Sequence, residues 1–174
     1  QPFVDRGIAI VGLEPSCLLT LRDEMTAMGF GEPAQALAKQ SLLFEEFLGR
    51  EAAAGRLDAL VHRLKPLDQP LLVHGHCHQK AFGAISPVLD VLKLIPGAQP
   101  QLIETSCCGM AGSFGYEAKH HAVSMQMAEL SLLPAVRSAP GAIVVADGTS
   151  CRHQIHDGAQ RQAIHAAVLL ARQL

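Results

Sequence analysis

Two adjacent cysteines, Cys107 and Cys108, open the glycine-rich turn Glu104-Thr-Ser-Cys107-Cys108-Gly109-Met-Ala-Gly112-Ser-Phe-Gly115. Neighbouring side chains on a strand diverge, but a glycine-rich turn can aim two thiolates and several backbone N–H groups at one centre. Cys17, Cys77 and Cys151 each follow a short apolar segment in the same manner. Thiolates gathered this way ligate a soft metal or an iron–sulfur cluster. Isolated cysteines also serve as small buried hydrophobes. That reading leaves Gly109, Gly112 and Gly115 unexplained, because glycines supply turn freedom and close backbone approach rather than packing volume.

Harder donors stand beside the thiols. His76 and His78 flank Cys77; an imidazole there suits zinc or non-haem iron, orients or protonates a thiolate, or is simply a satisfied polar residue. Glu14 precedes Cys17 as a hard ligand or as a helix-capping and turn residue. Ser16 and Ser150 are expected to make local turn hydrogen bonds. His74 lies within an apolar strand and reads as core, His120 and His121 as solvated, and His153 as a neighbour of the Cys151 region. Rival chemistries are weaker. No Gly-x-Gly-x-x-Gly follows the first strand and no phosphate-binding Gly-x-x-x-x-Gly-Lys is present. Gly112-Ser-Phe-Gly115 lacks the lysine a phosphate turn needs. A Cys77–His78 nucleophile leaves the other four cysteines without a role, and zinc-finger spacing is absent.

The elements that must position these residues alternate between strand and helix. Gly7–Leu13 reads as a buried parallel strand ending at Glu14-Pro15-Ser16-Cys17, followed by a helix from Leu18 to about Met28 that Gly29 and Gly31 stop. Pro33 opens the next helix, with Leu37, Leu42, Leu43, Phe44, Phe47 and Leu48 facing inward. Arg50–Leu60 is open between helix and loop. Leu71–His74 is a second strand, Phe82–Leu94 a helix with Pro87 near a break, and Gln101–Glu104 a third strand. Tyr116–Val136 reads as one long helix, Ala142–Ala146 as the fourth strand, and about Arg161–Leu170 as a closing helix. The expected fold is therefore α/β, a mostly parallel sheet of about four strands with helical crossovers in one compact domain. Four strand exits carry the cysteines, which is where open α/β sheets build their sites.

Composition narrows the rest. The 174 residues suit one domain; 49% are apolar, only 17% charged, and the formal net charge is −2. Lys and Arg are scattered singly, there is no Trp and only one Tyr, so a nucleic-acid face is not expected. No apolar run is long enough to span a bilayer and no signal segment opens the chain. The start, Gln-Pro-Phe-Val-Asp-Arg-Gly without an initiator Met, reads as the edge of a piece of a longer protein. Five cysteines, two of them adjacent, fit a reduced cytoplasmic compartment better than a disulfide framework.

Four stretches carry a family resemblance: Gly-Leu-Glu14-Pro-Ser-Cys17, His76-Cys77-His-Gln, Cys107-Cys108-Gly-Met-Ala-Gly-Ser-Phe-Gly115 and Gly-Thr-Ser-Cys151-Arg-His-Gln-Ile. They span nearly the whole chain, which resembles the cysteine-rich CCG domain of iron–sulfur oxidoreductases. It is especially similar to the C-terminal part of FAD-linked oxidase/iron–sulfur fusion proteins related to D-lactate, glycolate and 2-hydroxyglutarate dehydrogenases. Heterodisulfide reductase and anaerobic glycerol-3-phosphate dehydrogenase subunits carry the same domain.

The resemblance implies two repeats of Cys, Cys-Cys-Gly and Cys-x-x-Cys. Residues 70–158 match the core of the second, with Cys77, Cys107, Cys108 and Cys151, and residues 1–17 the end of a truncated first, with Cys17. Both closing motifs have lost their first cysteine, as Gly148-Thr-Ser-Cys151 and Glu14-Pro-Ser-Cys17. A 4Fe-4S or other cluster, a labile cluster, or a single zinc or iron are thus all compatible with the set. The resemblance further implies Cys77, Cys107, Cys108 and Cys151 as ligands, Cys17 at the same centre or its rim, and His76 and His78 as tuning or alternative ligands. Gly109, Gly112 and Gly115 would aim N–H groups at sulfur. FAD would lie in the parent protein, outside this stretch, so the piece alone would not oxidise a hydroxy acid. The implied partners are the flavin/iron–sulfur portion of the same polypeptide or complex and an acceptor such as a quinone, at the inner face of the membrane through that complex. A structural zinc docking module, and a catalytic metal site reducing a disulfide or other small acceptor, remain open.

Overall fold

A computed structural model describes residues 1–174. Its centre is a four-stranded, all-parallel sheet in the order β4-β3-β5-β6, made of β3 (Leu71–His74), β4 (Pro100–Leu102), β5 (Ile143–Ala146) and β6 (Ala163–Ile164). Successive side chains of a strand face opposite sides. Leu71, Val73 and Val145 accordingly enter one core, while Leu72, Val144 and Ala146 enter the other. The first core is closed by α8 (Ile85–Leu92), α12 (Ala166–Arg172) and Leu48 of α5 (Phe44–Ala53). The second is closed by α10 (Leu132–Ser138) and α11 (Thr149–Ala159) through Leu132, Val136 and Ile155. Helices on both faces explain the unbroken apolar runs, since a parallel sheet has no solvated side. Each fully buried leucine, such as Leu71, Leu92 or Leu132, contributes about 1.5–3 kcal/mol relative to exposure.

A separate two-stranded parallel sheet pairs β1 (Ile10–Gly12) with β2 (Ser41–Leu43). Around it lie α1 (Pro2–Asp5), α2 (Pro15–Thr20), α3 (Glu24–Ala27) and α4 (Glu32–Gln40). The α/β class and four-stranded parallel sheet match the expectation, but the membership differs. The first predicted strand belongs to the small sheet, and the fourth place is taken by β6, two residues expected to be helix. Nor is this stretch buried: Val11 of β1 is 41% exposed and Leu13, just after it, 52%.

The helices are shorter than their apolar patterns suggest. Leu42 and Leu43, expected on a helix, form β2 before α5 begins. The Arg50–Leu60 stretch divides between the end of α5 and α6 (Asp58–Val61). Gly83, at φ +66°, separates α7 (Cys77–Ala81) from α8, whose first turn holds Pro87. The expected Tyr116–Val136 helix is a 3-10 turn at Phe114–Tyr116, then α9 (His121–Glu129), then α10. Pro134 is the physical reason: it has no N–H for a helix interior and sits in the first turn of α10, where none is needed. Arg161 is likewise not helical; its guanidinium donates to the carbonyls of Val136, Ala139 and Ala142, at and just beyond the end of α10.

Candidate metal centre

From β3 the chain moves first outward to β4, then back across to β5 and β6. The direction reverses between β3 and β5, and in such sheets the crevice for a ligand opens at the carboxyl ends of the strands there. The exits of β3, β4 and β5 lead to Cys77, to Cys107 with Cys108, and to Cys151. Cys77 and Cys151 begin α7 and lie in the first turn of α11, so both thiols sit among N-terminal helix N–H groups. The helix carrying Cys151 is absent from the expected elements.

The four sulfurs are contiguous. Cys108 and Cys151 Sγ are 3.3 Å apart, and Cys77 and Cys107 stand close enough for the thiols to shift one another's protons. The site has a dry half, with Cys108 5% and Cys151 1% exposed, and a half-buried one formed by Cys77 and Cys107. Protons are divided between them. Hydrogen bonds from Cys108 and Cys77, reinforced by the N–H groups of Gly109 and Ala111, hold Cys107 well below the usual thiol range. The Cys108 thiol, against burial, holds Cys151 down at about 5, with help from His74. Cys77 and Cys108 are pushed up, first by the bonds they share with Cys107 and then by Cys151 or burial. Metal binding at such a set releases the remaining protons.

The turn after the cysteines is shaped by close approach. Gly109 has φ +91°, and a Cβ there would lie 2.1 Å from Ser124 O; its N–H donates to Cys107 Sγ at 3.2 Å. Gly115 passes Met110 and Ser124 where a Cβ would meet their side chains at 2.5 Å. Gly112 has φ +66° but open space around it, and makes no sulfur contact. Of the three glycines named from sequence, only Gly109 points its N–H at a sulfur.

The remaining sequence candidates divide. His76 is buried beside the thiols: it caps α7, its Nδ1 accepting from His78 N–H at 3.2 Å while its own N–H donates to Gln79 Oε1 at 3.0 Å. Burial lowers its pKa, with Cys151 opposing. A Cβ at Gly148 would lie 2.5 Å from His76 Cδ2 and 3.2 Å from Cys151 Sγ, so the imidazole fills the space a side chain at 148 would need. His78 lies two residues on, its ring 5.3 Å from that of His76 and its Nδ1 buried without a partner. Cys17 is exposed on α2 and makes no hydrogen-bond contact with the four thiols. Glu14 turns its carboxylate to Thr149 and Ser16. His153 is exposed and bonded to Tyr116 at 2.6 Å.

Two residues escaped the sequence reading. His74, read as core, lies with Cys108 and Cys151 so that a ring nitrogen and both sulfurs are within 4.8 Å of one another. Strand parity was the available signal, since His74 shares a face with Leu72, and that face carries the core containing both cysteines. Lys80 closes the loop before Cys107 by donating to Thr105 O (2.5 Å), Thr105 Oγ1 (2.9 Å) and Ser106 O (3.1 Å). Burial lowers its pKa while the thiols oppose. Four contiguous sulfurs and a buried, unpartnered imidazole nitrogen fit a soft metal or iron–sulfur group. A groove of about 610 Å3 between α5 and α8 is lined by none of these residues.

The chain is similar over nearly its whole length to segments of known dehydrogenases. It is 27% identical over 169 residues to a subunit of the anaerobic glycerol-3-phosphate dehydrogenase of Escherichia coli K12, covering 97% of this chain and 41% of that protein. It is 30% identical over 155 residues to the D-2-hydroxyglutarate dehydrogenase of the same strain, covering 86% of this chain and 14% of that protein. The Pseudomonas putida D-2-hydroxyglutarate dehydrogenase is 27% identical over 167 residues, 95% of this chain and 15% of that protein. The chain thus spans less than half the length of each. No protein-family model matches it. No solved structure matches it.

Proposed function

We propose that this chain is a CCG-type iron–sulfur domain that relays electrons from FAD, bound elsewhere in a flavin-linked dehydrogenase, toward an acceptor such as a quinone. The contiguity of four sulfurs from three strand exits carries this reading, and the similarity to dehydrogenase segments supports it. An iron–sulfur group held there supplies one-electron chemistry at a potential set by its hydrogen bonds and burial. Cys77, Cys107, Cys108 and Cys151 would be the ligands. The Gly109 N–H stabilises charge on the Cys107 sulfur, and Lys80 places a cation beside the thiols while fixing the loop that carries Cys107. Cys108 and Cys151 keep water from one side. In this reading the chain is the second repeat core, 70–158, preceded by the end of a first at 1–17. It works in the cytoplasm or docked at the membrane's inner face; none of its helices is long and apolar enough to cross a bilayer.

The imidazole beside Cys108 and Cys151 favours a second reading, a zinc held by mixed sulfur and nitrogen donors in a docking module. Iron, zinc and acid-labile sulfide content of anaerobically prepared protein, with visible and EPR spectra, separates the two. Iron and sulfide in near-equal amounts, lost in Cys107→Ser, is expected. About one zinc per chain without sulfide would overturn the electron-relay reading.

A further inference from the structure

His74 ends β3, 2% exposed, facing the core that holds Cys108 and Cys151. Its Nδ1 lies 3.0 Å from Thr105 Oγ1, an oxygen that also accepts from Lys80 Nζ at 2.9 Å. The other ring nitrogen, Nε2, is buried with no oxygen or nitrogen partner; the ring's other interaction is with the Cys151 sulfur. An unpaired buried polar atom costs about 1–3 kcal/mol, so a pocket that keeps one is built for a partner that the surrounding oxygens and nitrogens do not supply. What surrounds it is sulfur: the imidazole and the sulfurs of Cys108 and Cys151 lie within 4.8 Å of one another. Tetrahedral donors with ordinary metal–nitrogen and metal–sulfur bonds lie about 3.5–3.8 Å apart, so a shared ion needs a slight widening of the 3.3 Å sulfur pair and a modest approach of the nitrogen.

We propose that His74 ligates the centre through Nε2, together with Cys108 and Cys151, making the donor set mixed sulfur and nitrogen. The inference rests on reading the thiol site as a metal centre, and is indifferent to which metal it holds. Thr105 then has a defined task as a positioning residue. With Nδ1–H donating to Thr105 Oγ1, the Nε2 lone pair is free for the metal, and Lys80 locks Thr105 in place through its hydroxyl and carbonyl. Outer partners of this kind orient a ligating imidazole and fix its tautomer. A neutral nitrogen donor in place of a thiolate removes negative charge and raises the potential of an iron–sulfur centre.

The test labels the histidines of the whole chain with 15N, loads it anaerobically with iron and sulfide or with Co2+ alone, and reads nitrogen coupling by pulsed EPR. A strongly coupled nitrogen that changes with the isotope is expected in the wild type, lost in His74→Ala and retained in His76→Ala. Co2+ affinity should fall at least about 10-fold in His74→Ala and in Thr105→Val. The labelled wild type gives its answer even where His74→Ala folds poorly. Metal bound without nitrogen coupling, or coupling that vanishes only in His76→Ala, overturns the inference and leaves the metal-centre reading standing. A chain that takes up neither metal overturns both.

Discussion

The Glu14 carboxylate accepts two hydrogen bonds from Thr149, one from its backbone N–H at 2.9 Å and one from its hydroxyl at 2.7 Å, joining positions 135 residues apart. The exit of the small sheet thereby caps the helix that carries Cys151. Burial by itself would raise the Glu14 pKa, but the Thr149 and Ser16 bonds outweigh it and hold it below 4.5. The contribution is therefore present above the unfolded value and lost as pH falls through the folded one. Glu14→Ala should cost about 0.5–1 kcal/mol at neutral pH, a difference that shrinks on acidification. Thermal melts of both proteins across pH 3–7 check it.

Glu45 behaves in the opposite sense. It is 1% exposed, and its Oε1 has no hydrogen-bond partner; burial and then the nearby Asp147 push its pKa up to about 8. The neighbouring His165 has its ring nitrogens engaged elsewhere: Nδ1 accepts from Ala167 N–H and Nε2 donates to Leu13 O. Between about 4.5 and 8 the folded chain binds the extra proton, so stability is full below the unfolded value and falls as pH rises through that window. Glu45→Gln should flatten this slope and raise the melting temperature at pH 8 relative to wild type. A parallel slope in both proteins would show that Glu45 ionises freely.

Thiol reactivity should follow exposure and proton distribution. Cys17, Cys77 and Cys107 are accessible, while Cys108 and Cys151 are buried. Mass-spectrometric mapping of iodoacetamide labelling on the metal-free chain should find the last two modified only after unfolding. Since Cys107 is lowered and Cys77 raised, labelling at Cys107 should persist at acidic pH where labelling at Cys77 stops.

Two glycines of one turn should respond differently to a methyl group. Gly112→Ala meets no neighbour and bears only the φ +66° conformation, about 1–2 kcal/mol. Gly109→Ala combines φ +91° with a Cβ 2.1 Å from Ser124 O, so it should cost more than Gly112→Ala and displace the N–H from Cys107. Denaturant melts measure the costs, and metal content the displacement.

Removing the Lys80 charge should make the centre harder to reduce. Its ammonium spans Thr105 and Ser106 beside the four thiols. Lys80→Met should lower the midpoint potential and weaken metal retention, read by redox titration and chelator challenge; an unchanged potential would reduce Lys80 to a loop fastener.

The strands of the main sheet that were most legible are those with enough apolar residues to declare themselves, Leu71–His74 and Ile143–Ala146; the weaker third, expected at Gln101–Glu104, is present as Pro100–Leu102. Ser41–Leu43 was hidden because a three-residue strand between two helices continues their apolar spacing. Thr149–Ala159 escaped for the reverse reason: its sequence is almost wholly polar, and only Cys151, Gln154 and Ile155 turn inward, at helical spacing. Cysteine identity pointed to the thiols directly. His74 needed knowledge of which sheet face held them, and Glu14 and Lys80 work through partners distant in sequence.

The uneven burial of the four sulfurs gives the proposed centre a front and a back. Behind Cys108 and Cys151 stand α10 and α11, and a helix with its side chains is about 10–12 Å across; in front, Cys77 and Cys107 meet solvent. A donor or acceptor seated over the front would be insulated from the centre by little more than a sulfur atom, and one at the back by a full helix. If the centre relays electrons as proposed, traffic would enter and leave through one window, and docking would be sequential.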